Sequence, residues 1–175
     1  MHPPVPPDAA WQSRLEAAWA RLETMDPAEF VATIDALAAE RGDADAFAAF
    51  ERACARDSVG DETGAEPLYR AALAAGRLDA YRRARATLQL ASTLRILGRL
   101  EESETLLVAE LDRQVAAGEA ALRDEARAIL AFTWLAMGRA EAAAGLALAT
   151  LAPKLTRYQR SMARNAARIA PRTWT

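Results

Sequence analysis

The side chains able to do covalent chemistry are few and poorly placed for it. The chain has one cysteine, Cys54, and one histidine, His2. A nucleophilic thiol needs a nearby base to form thiolate, and His2 lies in a proline-rich N-terminus that cannot hold it beside Cys54. One cysteine and one histidine make neither an internal disulfide nor a Cys/His metal site. Two acidic clusters, Asp57/Asp61/Glu62 and Glu101/Glu102/Glu104, fall near expected helix starts. There carboxylates favour the positive helix end and water, so they read as solvated groups and not as paired catalytic acids. No phosphate-cradling glycine loop or nucleophile elbow occurs. The expectation is a protein without catalytic residues, metal or cofactor, and not an enzyme.

Arginine is the functional group left over. There are 21 arginines against a single lysine, Lys154. They are densest at the C-terminus, where Lys154, Arg157, Arg160, Arg164, Arg168 and Arg172 fall within one arc when wound at about 100° per residue. Leu155, Tyr158, Met162 and Ile169 fall on an adjacent arc. Residues 153–175 carry +6 with no acid, which leaves −8 for residues 1–152. A basic stripe can bind phosphates, but the apolar arc points to a capping helix whose arginines face water or the acidic body. A protein-partner or dimer surface and nucleic acid stand as the alternatives, and the overall charge of −2 argues against a dedicated nucleic-acid binder.

These groups must be held by helices. Alanine, leucine, glutamate and arginine dominate the 175 residues, and all lose little freedom in a helix. Valine, isoleucine and aromatics are too scattered to write strands. No apolar run reaches the roughly 18 residues of a membrane span, and residues 1–7 lack the apolar stretch of a signal peptide. A cytoplasmic protein that does not enter membranes is expected.

The organising signal is a repeat built on Gly60, Gly98 and Gly138. Seven residues before each stands alanine (Ala53, Ala91, Ala131), five after it a small residue (Ala65, Ser103, Ala143), and thirteen after it leucine (Leu73, Leu111, Leu151). Small residues at two fixed offsets let paired helices approach, and the glycine marks the turn between them. An extended tail over residues 1–7 precedes one helical domain over residues 8–175. A divergent hairpin occupies residues 8–42, with Asp8 as N-cap of a helix through Met25, Asp26-Pro27 opening the next, and Phe30, Ile34, Leu37 and Ala38 as its apolar stripe. Repeats follow at about 44–76, 79–118 and 119–152, and Pro153 opens a capping helix over 153–170.

The frame resembles the tetratricopeptide repeat, whose 34-residue unit places packing residues and a turn glycine at these offsets. Leu90-Ala91, Leu94, Gly98, Leu100, Ser103, Leu107 and Leu111 match best, followed by Leu130-Ala131, Trp134, Gly138, Ala140, Ala143 and Leu151, then Ala53, Gly60, Ala65, Tyr69, Ala72 and Leu73. The stretch ATLQLASTLRILGRLEESETLL is similar to the bacterial group 5 tetratricopeptide repeat. The closing proline is missing from all three units, Arg52 replaces a leucine, and Glu110 stands at a small position. The resemblance implies an all-α, right-handed α-α superhelix whose concave surface, made mainly by the first helix of each hairpin, binds a peptide or partner helix. Those offsets fall on Phe47, Phe50, Glu51, Cys54 and Asp57, on Arg85, Leu88, Gln89, Ser92 and Arg95, and on Glu125, Ala128, Ile129, Phe132 and Leu135. Arg85 and Arg95 would hold a carboxylate, Gln89 and Ser92 a peptide backbone, and Phe50, Leu88 and Phe132 apolar side chains; the alternative is that the three apolar residues are core and Arg95 is solvated. A protein or peptide partner is expected, with a homodimer as the alternative.

Overall fold

The computed structural model describes residues 7–174. The proline-rich tail expected over residues 1–7, with His2, therefore lies outside the described residues except for Pro7. Among the described residues all regular structure is helical: α1 (Ala9–Trp19), α2 (Pro27–Ala39), α3 (Ala46–Ser58), α4 (Glu62–Ala74), α5 (Ala80–Ile96), α6 (Leu100–Ala117), α7 (Arg123–Ala136), α8 (Ala140–Leu151), a 3-10 turn (Ala152–Lys154) and α9 (Gln159–Ile169). The chain divides into two compact units within α5, between Thr93 and Leu94.

Aspartates start the helices of the first unit. Asp8 accepts from the Trp11 amide at 2.8 Å, Asp45 from Ala48 at 2.9 Å and Asp61 from Gly64 at 2.9 Å. Asp26 accepts from Ala28 and Glu29, with Pro27 at the first helical position. Each such cap satisfies an orphan amide and is worth about 1 kcal/mol. The first helix stops at Trp19 and does not run to Met25 as the apolar spacing suggested. Beyond it the chain tightens into i→i−3 turns, such as Leu22 N to Trp19 O at 3.1 Å. The tightening brings Leu22 and Met25 onto the cluster of Trp11, Leu15, Ala18, Phe30, Ile34 and Ala55.

The three repeat glycines end α3, α5 and α7 in one geometry. Gly60, Gly98 and Gly138 have φ of 81°, 78° and 78°. The amide after each reaches back five residues, Asp61 to Arg56 at 2.9 Å, Arg99 to Leu94 at 2.8 Å and Arg139 to Trp134 at 2.8 Å, which closes a Schellman turn. A left-handed φ costs an L-residue roughly 1–2 kcal/mol, whereas a Cβ at these sites would meet nothing within 4 Å. Conformation, not space, requires glycine here. The flanking small residues are buried: Ala53, Ala65, Ala91 and Ser103 fully, Ala131 and Ala143 nearly so. They let α3 lie on α4, and α7 on α8.

In the second unit α6 packs on α7, α7 on α8 and α8 on α9, around Leu107, Leu111, Leu130, Trp134 and Leu146. The capping segment is a correction to the sequence reading. It is broken: after the 3-10 turn Leu155 is extended, Tyr158 is left-handed with φ 66°, and α9 begins only at Gln159. The Gln159 side chain donates to the carbonyls of Pro153 and Leu155 at 3.1 and 2.6 Å, giving them the partners that a continuous helix would have supplied.

Candidate partner-binding surfaces

In the first unit the structure turns several groove candidates inward. Phe50 is fully buried and packs against Tyr69 with ring centroids 6.4 Å apart, and Leu88 is buried as well. Both are core, so neither leaves a face to receive a partner's side chain. Asp57 is half-buried and accepts from Tyr69 Oη at 3.1 Å and Thr93 Oγ1 at 3.0 Å. Burial raises its pKa, against the pull of the Thr93 and Tyr69 hydrogen bonds. Cys54 donates to Gln89 Oε1 at 3.4 Å, and burial pushes its thiol up to about 12. It is a packing group held protonated. Glu51, buried, accepts from the Trp19 indole at 2.9 Å, and desolvation raises its pKa. Arg85 lies half-buried over the Phe50 ring at 5.3 Å, and Ser92 is half-buried.

The second unit opens a groove between α7 and α8. Phe132 and Leu135 of α7, 60% and 55% exposed, stand over a floor of alanines that includes Ala131, Ala143 and Ala147. The groove has a volume of about 420 Å³, and Thr150 is its one polar side chain. Arg95 places its guanidinium 5.9 Å from the Phe132 ring centroid, and its Nε is buried without a hydrogen-bond partner.

The positions of Cys54 and Phe132 in the repeat explain why one is sealed and the other open. Both stand six residues before their turn glycine. Cys54 is covered by α5 of the following hairpin, which supplies Gln89. After α7 and α8 the chain continues as α9, which docks on α8, and α9 contributes no residue to the groove.

A family model described as tetratrico peptide repeat matches residues 46–169. The chain belongs to the tetratricopeptide repeat family. The match begins on the first residue of α3 and ends on the last of α9, so this tetratricopeptide repeat chain includes α9 in the family region, while α1 and α2 lie before it. Comparison with curated proteins and with solved structures returned no match. The fold class is therefore an all-α helical-hairpin repeat, and the family is generally a non-catalytic interaction module. No helix among the described residues is long and apolar enough to cross a membrane.

The basic segment of this tetratricopeptide repeat protein is not one stripe on one helix. Only Arg160, Arg164 and Arg168 lie on α9. Lys154, in the 3-10 turn, pairs with Asp124 at 2.8 Å, and Arg172, beyond α9, pairs with Asp112 at 2.6 Å. Trp174 also returns to Asp112, its indole donating at 2.7 Å, and lies 6.4 Å from the Trp134 ring. The alanine floor on α8 was missed in the sequence, although the run Ala142-Ala143-Ala144 beside Ala140 and Ala147 is its visible signature.

Proposed function

We propose that this chain is a non-enzymatic protein-binding module and that the α7–α8 groove seats an apolar helix of a partner protein. The observation that carries this reading is the pair of exposed side chains, Phe132 and Leu135, standing over an alanine floor in a repeat fold. In such folds each hairpin buries its face against the next, as α3 does beneath α5 at Cys54. A helix laid in the groove would give α7 and α8 the same cover. Aromatic anchors over a small-residue floor suit helix-in-groove recognition. Arg95, its guanidinium 5.9 Å from the Phe132 ring centroid, places a positive charge against that aromatic anchor.

The test is a photo-crosslinking phenylalanine analogue placed at Phe132, with the same analogue at exposed Tyr81 as control. The reading expects a discrete adduct with another protein from position 132, lost on Leu135→Asp and missing from position 81. An adduct composed only of two copies of this chain would replace the proposal with self-association. Absence of any adduct would end it.

A further inference from the structure

We infer that the exposed face of α9, with the pocket at its C-terminal end, docks an acidic segment of a partner protein carrying one apolar side chain. Most arginines of the chain are answered within it: Arg52 and Arg56 by Asp35, Arg113 by Glu110 and Glu119, and Arg139 by Glu104. Arg157, Arg160, Arg164 and Arg168 are exposed and have no carboxylate partner among the described residues. The last three stand at i, i+4 and i+8, about 6 Å apart along α9 and within an arc of about 80°. Like charges at this spacing destabilise an isolated helix, so the row is held in place by the opposite face. There Ala166 is buried, Met162 and Ile169 are half-buried, and Gly145 of α8 allows close approach of Ile169 and Ala170. Carboxylates spaced one helical turn apart on a second chain would match the row.

The pocket fixes the second half of the assignment. A cavity of about 420 Å³ lies between Val115 of α6, Ala167 of α9, and Ala170, Pro171, Arg172, Thr173 and Trp174, its apolar wall made by Val115, the two alanines, Pro171 and Trp174. Val115 is 45% exposed. Around the helix Ala167 lies about 20° from Arg160 and about 60° from Arg164, so the pocket opens alongside the arginine row. Tyr158, 77% exposed in a left-handed conformation, stands at the head of α9. Tyrosine and arginine are the residue types that most often anchor interfaces, and a left-handed non-glycine residue marks a constrained site.

Two other polyanionic surfaces fit less well. The apolar face of α9 is taken by α8, so the helix has no free face to lay into a bilayer. A nucleic acid longer than the row would run onto the rest of the second unit, which carries −3 over residues 94–152. A short acidic segment ends where the arginines end.

The experiment is fluorescence anisotropy of the full chain with a labelled helical peptide bearing glutamates at i, i+4 and i+8 and one leucine. Its controls are the peptide with glutamine for glutamate, the peptide with alanine for leucine, and a labelled oligothymidylate. Combined Arg160→Glu, Arg164→Glu and Arg168→Glu should weaken the glutamate peptide at least about tenfold, and the milder combined change to glutamine several-fold. Val115→Gln, which adds no charge, should weaken the leucine peptide several-fold and leave the alanine peptide unchanged. Phe132→Ala should change nothing, which separates this site from the α7–α8 groove. Affinity within about twofold of the parent in both arginine variants overturns the inference, as does oligothymidylate binding equal to or tighter than the glutamate peptide.

Discussion

Gly145→Ala sets helix propensity against packing. Gly145 lies inside α8, where alanine would by propensity alone stabilise the helix by about 1 kcal/mol. The tertiary contacts reverse the sign. A Cβ on Gly145 would stand 2.7 Å from the Ala170 backbone nitrogen, 2.8 Å from Ile169 Cγ1 and 2.9 Å from Ala170 Cβ. The isoleucine can turn away, but the Ala170 nitrogen is tied to the Ala166 carbonyl at 2.9 Å. The end of α9 must therefore shift outward as a piece. Overpacking of this kind costs about 1–3 kcal/mol, which outweighs the propensity gain and leaves a net loss of about 1 kcal/mol. For a chain of this size that lowers Tm by about 2–4 °C. Two assays read it: thermal melting by circular dichroism, and limited trypsin digestion, in which cleavage at Arg164 and Arg168 should accelerate as α9 loosens. Gly145→Leu should exaggerate both effects. An alanine variant that melts above the parent and resists trypsin equally well would refute the reasoning, because propensity would then have won.

Two further expectations concern the interior of the first unit. Because burial holds the Asp57 carboxyl above the usual aspartate range, the folded state keeps that proton longer than the unfolded chain does. Its contribution is therefore most favourable below the unfolded value and is lost as pH rises through the raised folded value. Asp57→Asn should accordingly lose least, or gain, at neutral pH relative to acid, and should flatten the fall in stability above pH about 4. Urea unfolding at several pH values reads this, and an unchanged slope would contradict it. Cys54, buried with its thiol pushed up to about 12, should react with iodoacetamide on the order of a thousandfold more slowly in the folded chain than in denaturant. Rapid labelling in native buffer would show the site to be open.

Legibility followed the range of the physics. Asp8, Asp26 and Asp61 could be read as helix starts because an N-cap bond spans only two or three residues. The turn glycines could be read because a left-handed φ is paid within one residue. The same locality explains the failures. Nothing near Tyr158 in the sequence announces that Gln159 will satisfy the carbonyls behind it and split the capping segment, which removed Lys154, Arg157 and Arg172 from the expected stripe on one helix. Phe50 and Phe132 looked alike as apolar receptors. One is fully buried and the other 60% exposed, and neither value depends on its immediate neighbours in the chain.

The sequence by itself determined the helical hairpins, their turns and the small residues on which they close, because these rest on contacts within a few residues and on one short repeated frame. Tertiary structure alone decided which surfaces are free. Exposure depends on what the next element does: α5 covers Cys54, whereas α9 settles on α8 and contributes nothing to the groove at Phe132. The same folding back pairs Arg172 and Trp174 with Asp112, some sixty residues earlier, while Arg157, Arg160, Arg164 and Arg168 stay exposed with no carboxylate partner among the described residues. The charge was written in the sequence, but only the packing of the C-terminal segment determines that those four arginines are exposed.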